Sequence, residues 1–219
     1  MTITAAPHCL QTHQLSCIRG GRVLFENLDI ELSSGDALHI SGDNGSGKTS
    51  LLRMLCGLSE PTSGMVSWAG VDIRREREQF CSQLIYLGHL PAIKDDLTAC
   101  ENLLMSAALS GYQPSDAKQQ AYTALALAGL DQFADLPTGK LSQGQKKRVA
   151  QARLLLNEHT PLWILDEPFV ALDQPAIVQL TATINSHLGR GGMLIYSTHQ
   201  TVALQPQRAL HIDLNQASA

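Results

Sequence analysis

The chain has 219 residues, 44% apolar and 16% charged, which suits one compact domain or a core carrying a smaller lobe. That composition excludes a collagenous, low-complexity or largely disordered chain. Sixteen Lys plus Arg against twenty Asp plus Glu leave a formal net charge of −4, so there is no basic field to hold a nucleic-acid backbone or a membrane surface.

Short β-prone runs alternate with helical patterns, which predicts an α/β domain on a mainly parallel sheet. Residues Met1 to Cys9 lack the basic start and apolar core of a secretory signal. The apolar run Leu103 to Leu109 is broken by Ser106 and falls short of the roughly 20 residues that span a bilayer. The expectation is a chain that stays in the cytosol and does not cross a membrane alone. Cys9, Cys17, Cys56, Cys81 and Cys100 form no CxxC pair and have no His at metal-ligand spacing, so free, mostly buried thiols are expected.

The opening departs from the parallel pattern. Alternation over Gln14 to Ile18 and Val23 to Leu32, around Gly20 and Gly21, predicts antiparallel strands joined by a turn. Asp36 to Ser41 then reads as a buried strand entered through Ser33, Ser34 and Gly35. It leaves through Gly42, Asp43, Asn44, Gly45, Ser46, Gly47, Lys48 and Thr49, which fit G-x-x-x-x-G-K-[ST] between a strand and a helix from about Lys48 to Leu55. In such a loop the glycines let backbone N–H groups turn inward around a polyphosphate, and the helix N-terminus adds its positive end. Lys48 would reach the terminal phosphates, the Thr49 hydroxyl suits Mg²⁺, and Ser50 is placed for an α-phosphate. Arg74 to Glu78 reads as a solvated charged face.

Strand signals are missing from Thr98 to Gln151, which predicts a helical lobe inserted at about 95–150 in a single domain of 219 residues. Within it Ala117, Ala121, Ala124, Leu125 and Ala128 mark one helix face, introduced by Pro114 and Ser115 and stopped by Gly129. Leu141, Ser142, Gln143, Gly144 and Gln145 open a further helix, with Ser142 as its expected N-cap and Gly144 allowing close backbone approach. Lys146, Lys147 and Arg148 are expected to face solvent. Leu162 to Leu165 is an apolar strand ending in Asp166 and Glu167; Asp166 would hold Mg²⁺ through water, and Glu167 would orient and deprotonate an attacking water. Met193 to Ser197 is a second such strand and ends in Thr198, His199 and Gln200, at the sheet edge where open α/β folds place ligands. His199 could hydrogen-bond a γ-phosphate and sense its loss, although read in isolation a lone His is more often a satisfied surface or core residue.

A phosphate loop alone leaves a small-molecule kinase, a GTPase and an ATP-driven motor open. The combination of that loop with Leu141-Ser142-Gln143-Gly144-Gln145, Leu165-Asp166-Glu167-Pro168, Ala171-Leu172-Asp173 and His199 resembles the ABC-type ATPase domain from about Leu10 to Leu214. That resemblance implies the ABC ATPase fold, a P-loop NTPase core with an antiparallel β subdomain and an inserted helical lobe. It also implies ATP and Mg²⁺ as cofactors, and a homodimer in which Ser142, Gly144 and Gln145 complete the partner's nucleotide site. Tyr86 to Lys94, Leu162 to Phe169 and Thr198-His199-Gln200 are similar to the ATP-binding subunits of cytochrome c maturation, or haem exporter, complexes. This similarity implies a peripheral subunit on the cytoplasmic face of the bacterial inner membrane. It would dock on multi-spanning subunits through the helical lobe and the loop from His89 to Lys94, with Leu90 and Ile93 as contacts, and act on haem export or release of a haem chaperone.

The chain departs from the wider family in three places. His89 stands where a glutamine usually contacts Mg²⁺ and the lytic water, Arg19 falls about where an aromatic residue stacks on adenine, and Gln143 replaces a glycine. A subunit of another ABC transporter, or a nucleotide-gated scaffold with little turnover, stays open as an alternative. No CxxCH is present, so no haem site is assigned.

Overall fold

The computed structural model describes residues 8–109, 117–157 and 159–216. Strands β1 (Cys9–Arg19), β2 (Arg22–Leu28) and β3 (Glu31–Ser33) open the chain, followed by β4 (Ala37–Ser41) and helix α1 (Lys48–Leu55). Next come β5 (Ser63–Trp68), β6 (Val71–Asp72), α2 (Arg77–Cys81) and β7 (Leu84–Leu87). Helices α3 (Ala99–Leu109), α4 (Ala117–Leu127) and α5 (Gln143–Leu156) lead to β8 (Leu162–Asp166), α6 (Gln174–Gly189), β9 (Met193–Ser197) and β10 (Ala209–Asp213).

The first hairpin is antiparallel as expected, with Ile18 opposite Val23. The predicted second strand, Val23 to Leu32, is instead split into β2 and β3. Asn27 takes a left-handed conformation (φ 52°), and Thr12 Oγ1 occupies the break, donating to the Leu28 carbonyl and accepting from the Ile30 amide, both at 2.8 Å. β5 and β6 extend this sheet on the far side of β1, giving the order β2-β1-β5-β6 with β3 also on β1.

The second sheet has the order β10-β4-β9-β8-β7, and each of its neighbouring pairs is parallel. All five residues of β8 are buried, as a central parallel strand covered on both faces requires. Leu38, Ile40, Ile164 and Ile195 face α1, whose Leu51, Leu52 and Leu55 complete one core. Trp163, Leu165 and Leu194 point to the opposite face and pack with Leu180, Ile184 and Leu188 of α6. Full burial of each such side chain is worth about 1.5–3 kcal/mol, so the two layers fix where the tips of β4, β8 and β9 stand.

Helices α3, α4 and α5 enclose a separate apolar core containing Leu103, Leu125, Leu130 and Val149. Gly129 (φ +66°) ends α4, and the Leu130 amide bonds back to the Leu125 carbonyl at 2.8 Å. Pro114 and Ser115 lie outside the described residues. The five cysteines are free; Cys17, Cys56 and Cys100 are buried, Cys9 is partly so, and Cys81 is exposed. No helix among the described residues is long and apolar enough to cross a membrane.

One core contact makes stability depend on pH. His187 on α6 is 1% exposed and stacks on Trp163, with ring centroids 3.8 Å apart and planes within 6°. Its Nε2–H donates to the Met193 carbonyl at 3.1 Å, and a Cβ on Gly192 would collide with the ring. Burial pushes the imidazole pKa down to about 4, with nearby Arg190 adding to the effect. Above its ordinary value near 6.5, both folded and unfolded chains hold a neutral ring and the group is silent. Below that value the unfolded chain takes up a proton that the folded chain refuses, so stability falls until about pH 4, by about 3 kcal/mol in total. Urea denaturation of the parent and of His187→Gln at pH 7 and pH 5 checks this: the variant is expected to lose less stability on acidification, and parallel losses would remove His187 as the cause.

Candidate active site

The loop from Gly42 to Gly47 connects β4 to α1. Gly45 (φ +83°) and Gly47 (φ +109°) hold conformations that L side chains rarely adopt, and a Cβ on Gly42 would fall 2.5 Å from Ser46 Oγ. Asp43, Asn44 and Gly45 are exposed while Ser46 and Gly47 are buried, leaving an open cradle of backbone. Gly47 serves as the N-cap of α1 without any side-chain hydrogen bond, so the first amides of that helix are available to an anion. Lys48 folds back over the loop, and its Nζ donates to the carbonyls of Gly42 (2.6 Å) and Asp43 (3.1 Å). Ser50 follows Thr49 on the first turn of α1.

The tip of β8 meets this cradle. Asp166 is 4% exposed; its Oδ2 accepts from Thr49 Oγ1 at 2.8 Å and its Oδ1 from Ser197 Oγ at 2.7 Å. Ser197 also accepts from the Glu167 amide at 3.0 Å, so one hydroxyl at the end of β9 ties both acidic residues together. The Glu167 carboxylate is largely buried: Oε1 stands 3.4 Å from His199 Nε2, and Oε2 has no partner. Glu167 also has φ +51°, a left-handed conformation unusual for a residue with a side chain. His199 itself is 59% exposed. The phosphate loop, Thr49, Asp166, Glu167 and His199 therefore converge at the carboxyl end of the parallel sheet.

His89 reaches the same region from the end of β7. It lines a groove of about 120 Å³ together with Tyr86, Leu90, Lys147, Arg153 and Asp166. Burial, then the nearby Asp166, pushes the Tyr86 phenol up to about 12, so that ring stays neutral. Arg19 is exposed at the end of β1 and donates to the Glu60 carbonyl at 3.1 Å.

Ser142, Gly144 and Gln145 lie at the start of α5. Ser142 is the N-cap of α5, and a capping box closes there: Ser142 Oγ accepts from the Gln145 amide at 3.2 Å, and Gln145 Oε1 accepts from the Ser142 amide at 2.8 Å. Among the described residues no hydrogen bond joins this helix end to the phosphate loop of the same chain. Ser142 and Gln143 are exposed, so the end of α5 faces outward.

The solvent-facing expectation for Lys146, Lys147 and Arg148 is not met. Lys146 is 13% exposed and pairs with Asp95 at 2.6 Å, Lys147 Nζ donates to the Glu167 carbonyl at 2.5 Å, and Arg148 is only partly exposed beside Gly129. The charge pattern alone cannot reveal this, because the groups that draw the lysines inward, Asp95 and a backbone carbonyl, are distant in sequence. Ser197 is likewise not legible as a site residue, because its signal is only a small polar residue closing an apolar strand.

The family model described as ABC transporter matches residues 25–170. The cytochrome c biogenesis ATP-binding export protein CcmA of Pseudomonas syringae pv. tomato is 50% identical over 220 residues, covering 99% of this chain and 100% of that protein. The protein of the same name from Nitrosomonas europaea is 45% identical over 216 residues, covering 98% and 100%. Among solved structures, an ATP-binding subunit of an ABC transporter aligns with TM-score 0.78 at 28% identity, over 87% of this chain and 79% of that one. A bacterial ABC transporter cassette described as dimeric aligns with TM-score 0.82 at 23% identity, over 94% of each chain. The chain belongs to the ABC transporter family, beside the ATP-binding export proteins of cytochrome c biogenesis.

Proposed function

We propose that this chain is the ATP-hydrolysing subunit of an ABC-type complex in cytochrome c biogenesis, and that two copies close on two ATP molecules to act on a membrane partner. The observation that carries the reading is the meeting of Thr49 with Asp166 and of Glu167 with His199 at one edge of the sheet. A small-molecule kinase would have no use for the outward-facing end of α5. A second copy would, because that helix end presents an exposed Ser142 and the positive end of the α5 dipole. The dimeric description of the solved cassette supports the same arrangement.

The residues fit the implied divalent ion. Thr49 Oγ1 and Asp166 Oδ2 are hard oxygens already 2.8 Å apart, and Mg²⁺ prefers such ligands while keeping several waters. Thr49 would hold the ion, with Asp166 acting through water; when bound, Mg²⁺ neutralises charge on the phosphate oxygens. Lys48 exchanges its two loop carbonyls for phosphate oxygens. Ser46 Oγ, buried and without a partner, is a further polar group within the cradle. Glu167 Oε2, also unpartnered, is the atom free to take the proton of the attacking water. His199 Nε2 stands 3.4 Å from that carboxylate on an exposed side chain, and would hydrogen-bond the γ-phosphate. His89 would contact the site through one ring nitrogen. Loss of the γ-phosphate removes the contact shared by both copies and lets them part.

The membrane partner would be a multi-spanning subunit, and the work haem export or release of a haem chaperone, on the cytoplasmic face of the bacterial inner membrane. Docking is assigned to the loop after β7 and the adjoining helices. Leu90 is 78% exposed, an isolated apolar contact, whereas Ile93 packs against the core of α3, α4 and α5. Leu90→Asp is therefore the informative variant, and Ile93→Asp would mostly unfold that core. Retention of Leu90→Asp on vesicles carrying the membrane subunit is expected to drop about tenfold, a loss of roughly 1.4 kcal/mol, with unchanged thermal stability. Undiminished retention would remove the loop from the interface. Phosphate release to water by the purified chain, with and without those vesicles, tests the whole reading; nucleotide binding without release in either case would favour a scaffold instead.

A further inference from the structure

The chain segment carrying Glu167 is bent twice into conformations that cost energy: Glu167 has φ +51° and Ala171 has φ +63°. One face of α5 lies against that segment. Gly144, Lys147 and Gln151 are three and then four residues apart, so they share a stripe of the helix. At its start, a Cβ on Gly144 would stand 3.0 Å from the Ala171 carbonyl oxygen, so only glycine lets the helix come this close without a shift. One turn on, Lys147 Nζ donates to the Glu167 carbonyl at 2.5 Å. After another turn, Gln151 Nε2 donates to the Pro168 carbonyl at 2.6 Å, and this bond is fully buried.

We propose that Lys147 and Gln151 are positioning residues for hydrolysis: from the helix whose outer end serves the opposite nucleotide site, they clamp the backbone of Glu167 and Pro168 and hold the Glu167 carboxylate in place. The inference rests on the ATPase reading above and deepens it. Both bonds go to backbone carbonyls and neither to the Glu167 carboxylate, so the two residues act through the backbone. They grip two consecutive carbonyls, one of them belonging to a left-handed residue, which is where a backbone would otherwise relax. Lys147 is half-buried, and that burial holds its pKa below the ordinary lysine value although the Glu167 and Asp166 carboxylates oppose the shift. Because α5 also carries Ser142 and Gly144 at its outer end, docking of a second copy there and alignment of the base are linked through one rigid element.

The test compares the full chain with Lys147→Met, Gln151→Leu and Lys147→Arg. ATP-dependent dimerisation is followed by light scattering, and phosphate formation in a single turnover is followed by rapid quench. The Met and Leu variants are expected to dimerise at ATP concentrations within about threefold of the parent, while phosphate forms at least about tenfold more slowly. Lys147→Arg keeps a donor for the Glu167 carbonyl and is expected to recover most of the rate. Phosphate formation within about twofold of the parent in both apolar variants overturns the clamp. So does a loss of dimerisation and hydrolysis in step with a lowered melting temperature, which is the mark of a merely structural role. A parent chain that neither dimerises nor hydrolyses overturns the ATPase reading, and the clamp falls with it.

Discussion

Glu167→Gln is expected to bind ATP as the parent does, to accumulate as a closed dimer, and to hydrolyse at least about two orders of magnitude more slowly. The substitution keeps size and shape but replaces an oxygen that can hold a proton with an amide that cannot. Stability points the same way. A left-handed backbone at a residue with a side chain costs about 1–2 kcal/mol, and an unpaired buried oxygen roughly 1–3 kcal/mol more. A side chain kept under both penalties is not there for the fold. Glutamine keeps the backbone conformation but removes a largely buried charge, so the variant should melt at or slightly above the parent temperature while turnover collapses. The measurement is phosphate release alongside size-exclusion chromatography with ATP and magnesium. Parental turnover in the variant would remove Glu167 as the base.

Much of this site was legible in the sequence because each part is local. The phosphate loop needs glycines at fixed offsets before Lys48, the acidic pair must follow an apolar strand, and the Ser142 cap is announced by Gln145 three residues later. Helix α1 and strands β8 and β9 match their expected spans closely for the same reason. What stayed hidden depends on distant partners. β5 has three polar or small positions in six residues, Ser63, Gly64 and Ser67, and it is a strand only because β1 pairs with it from His13 to Leu10. β7 and β10 are short edge strands whose existence is set by β8 and β4. The split between β2 and β3 depends on Thr12, which is 16 residues before Leu28 and 18 before Ile30. The inward turn of Lys147 depends on a carbonyl at the far end of β8.

Lys48→Ala is expected to fail at an earlier step than Glu167→Gln, in binding itself. In the structure the Lys48 ammonium rests on the carbonyls of Gly42 and Asp43, neutral acceptors at 2.6 and 3.1 Å. A triphosphate offers the same ammonium charged oxygens, and charge-assisted bonds are about twice as strong as those to neutral groups. The exchange therefore gains energy on binding, and its loss should weaken ATP by about 100-fold, roughly 2.7 kcal/mol. The fold should tolerate the change. Asp43 and its neighbours are exposed, so water can replace the ammonium at the loop, and melting should shift by no more than the equivalent of about 1 kcal/mol. Titration with a fluorescent ATP analogue separates the two variants: Lys48→Ala without binding at concentrations that saturate Glu167→Gln, both fully folded. ATP affinity within about threefold of the parent in Lys48→Ala would mean that the loop amides and the end of α1 bind the phosphates unaided, and the assignment of this lysine would be wrong.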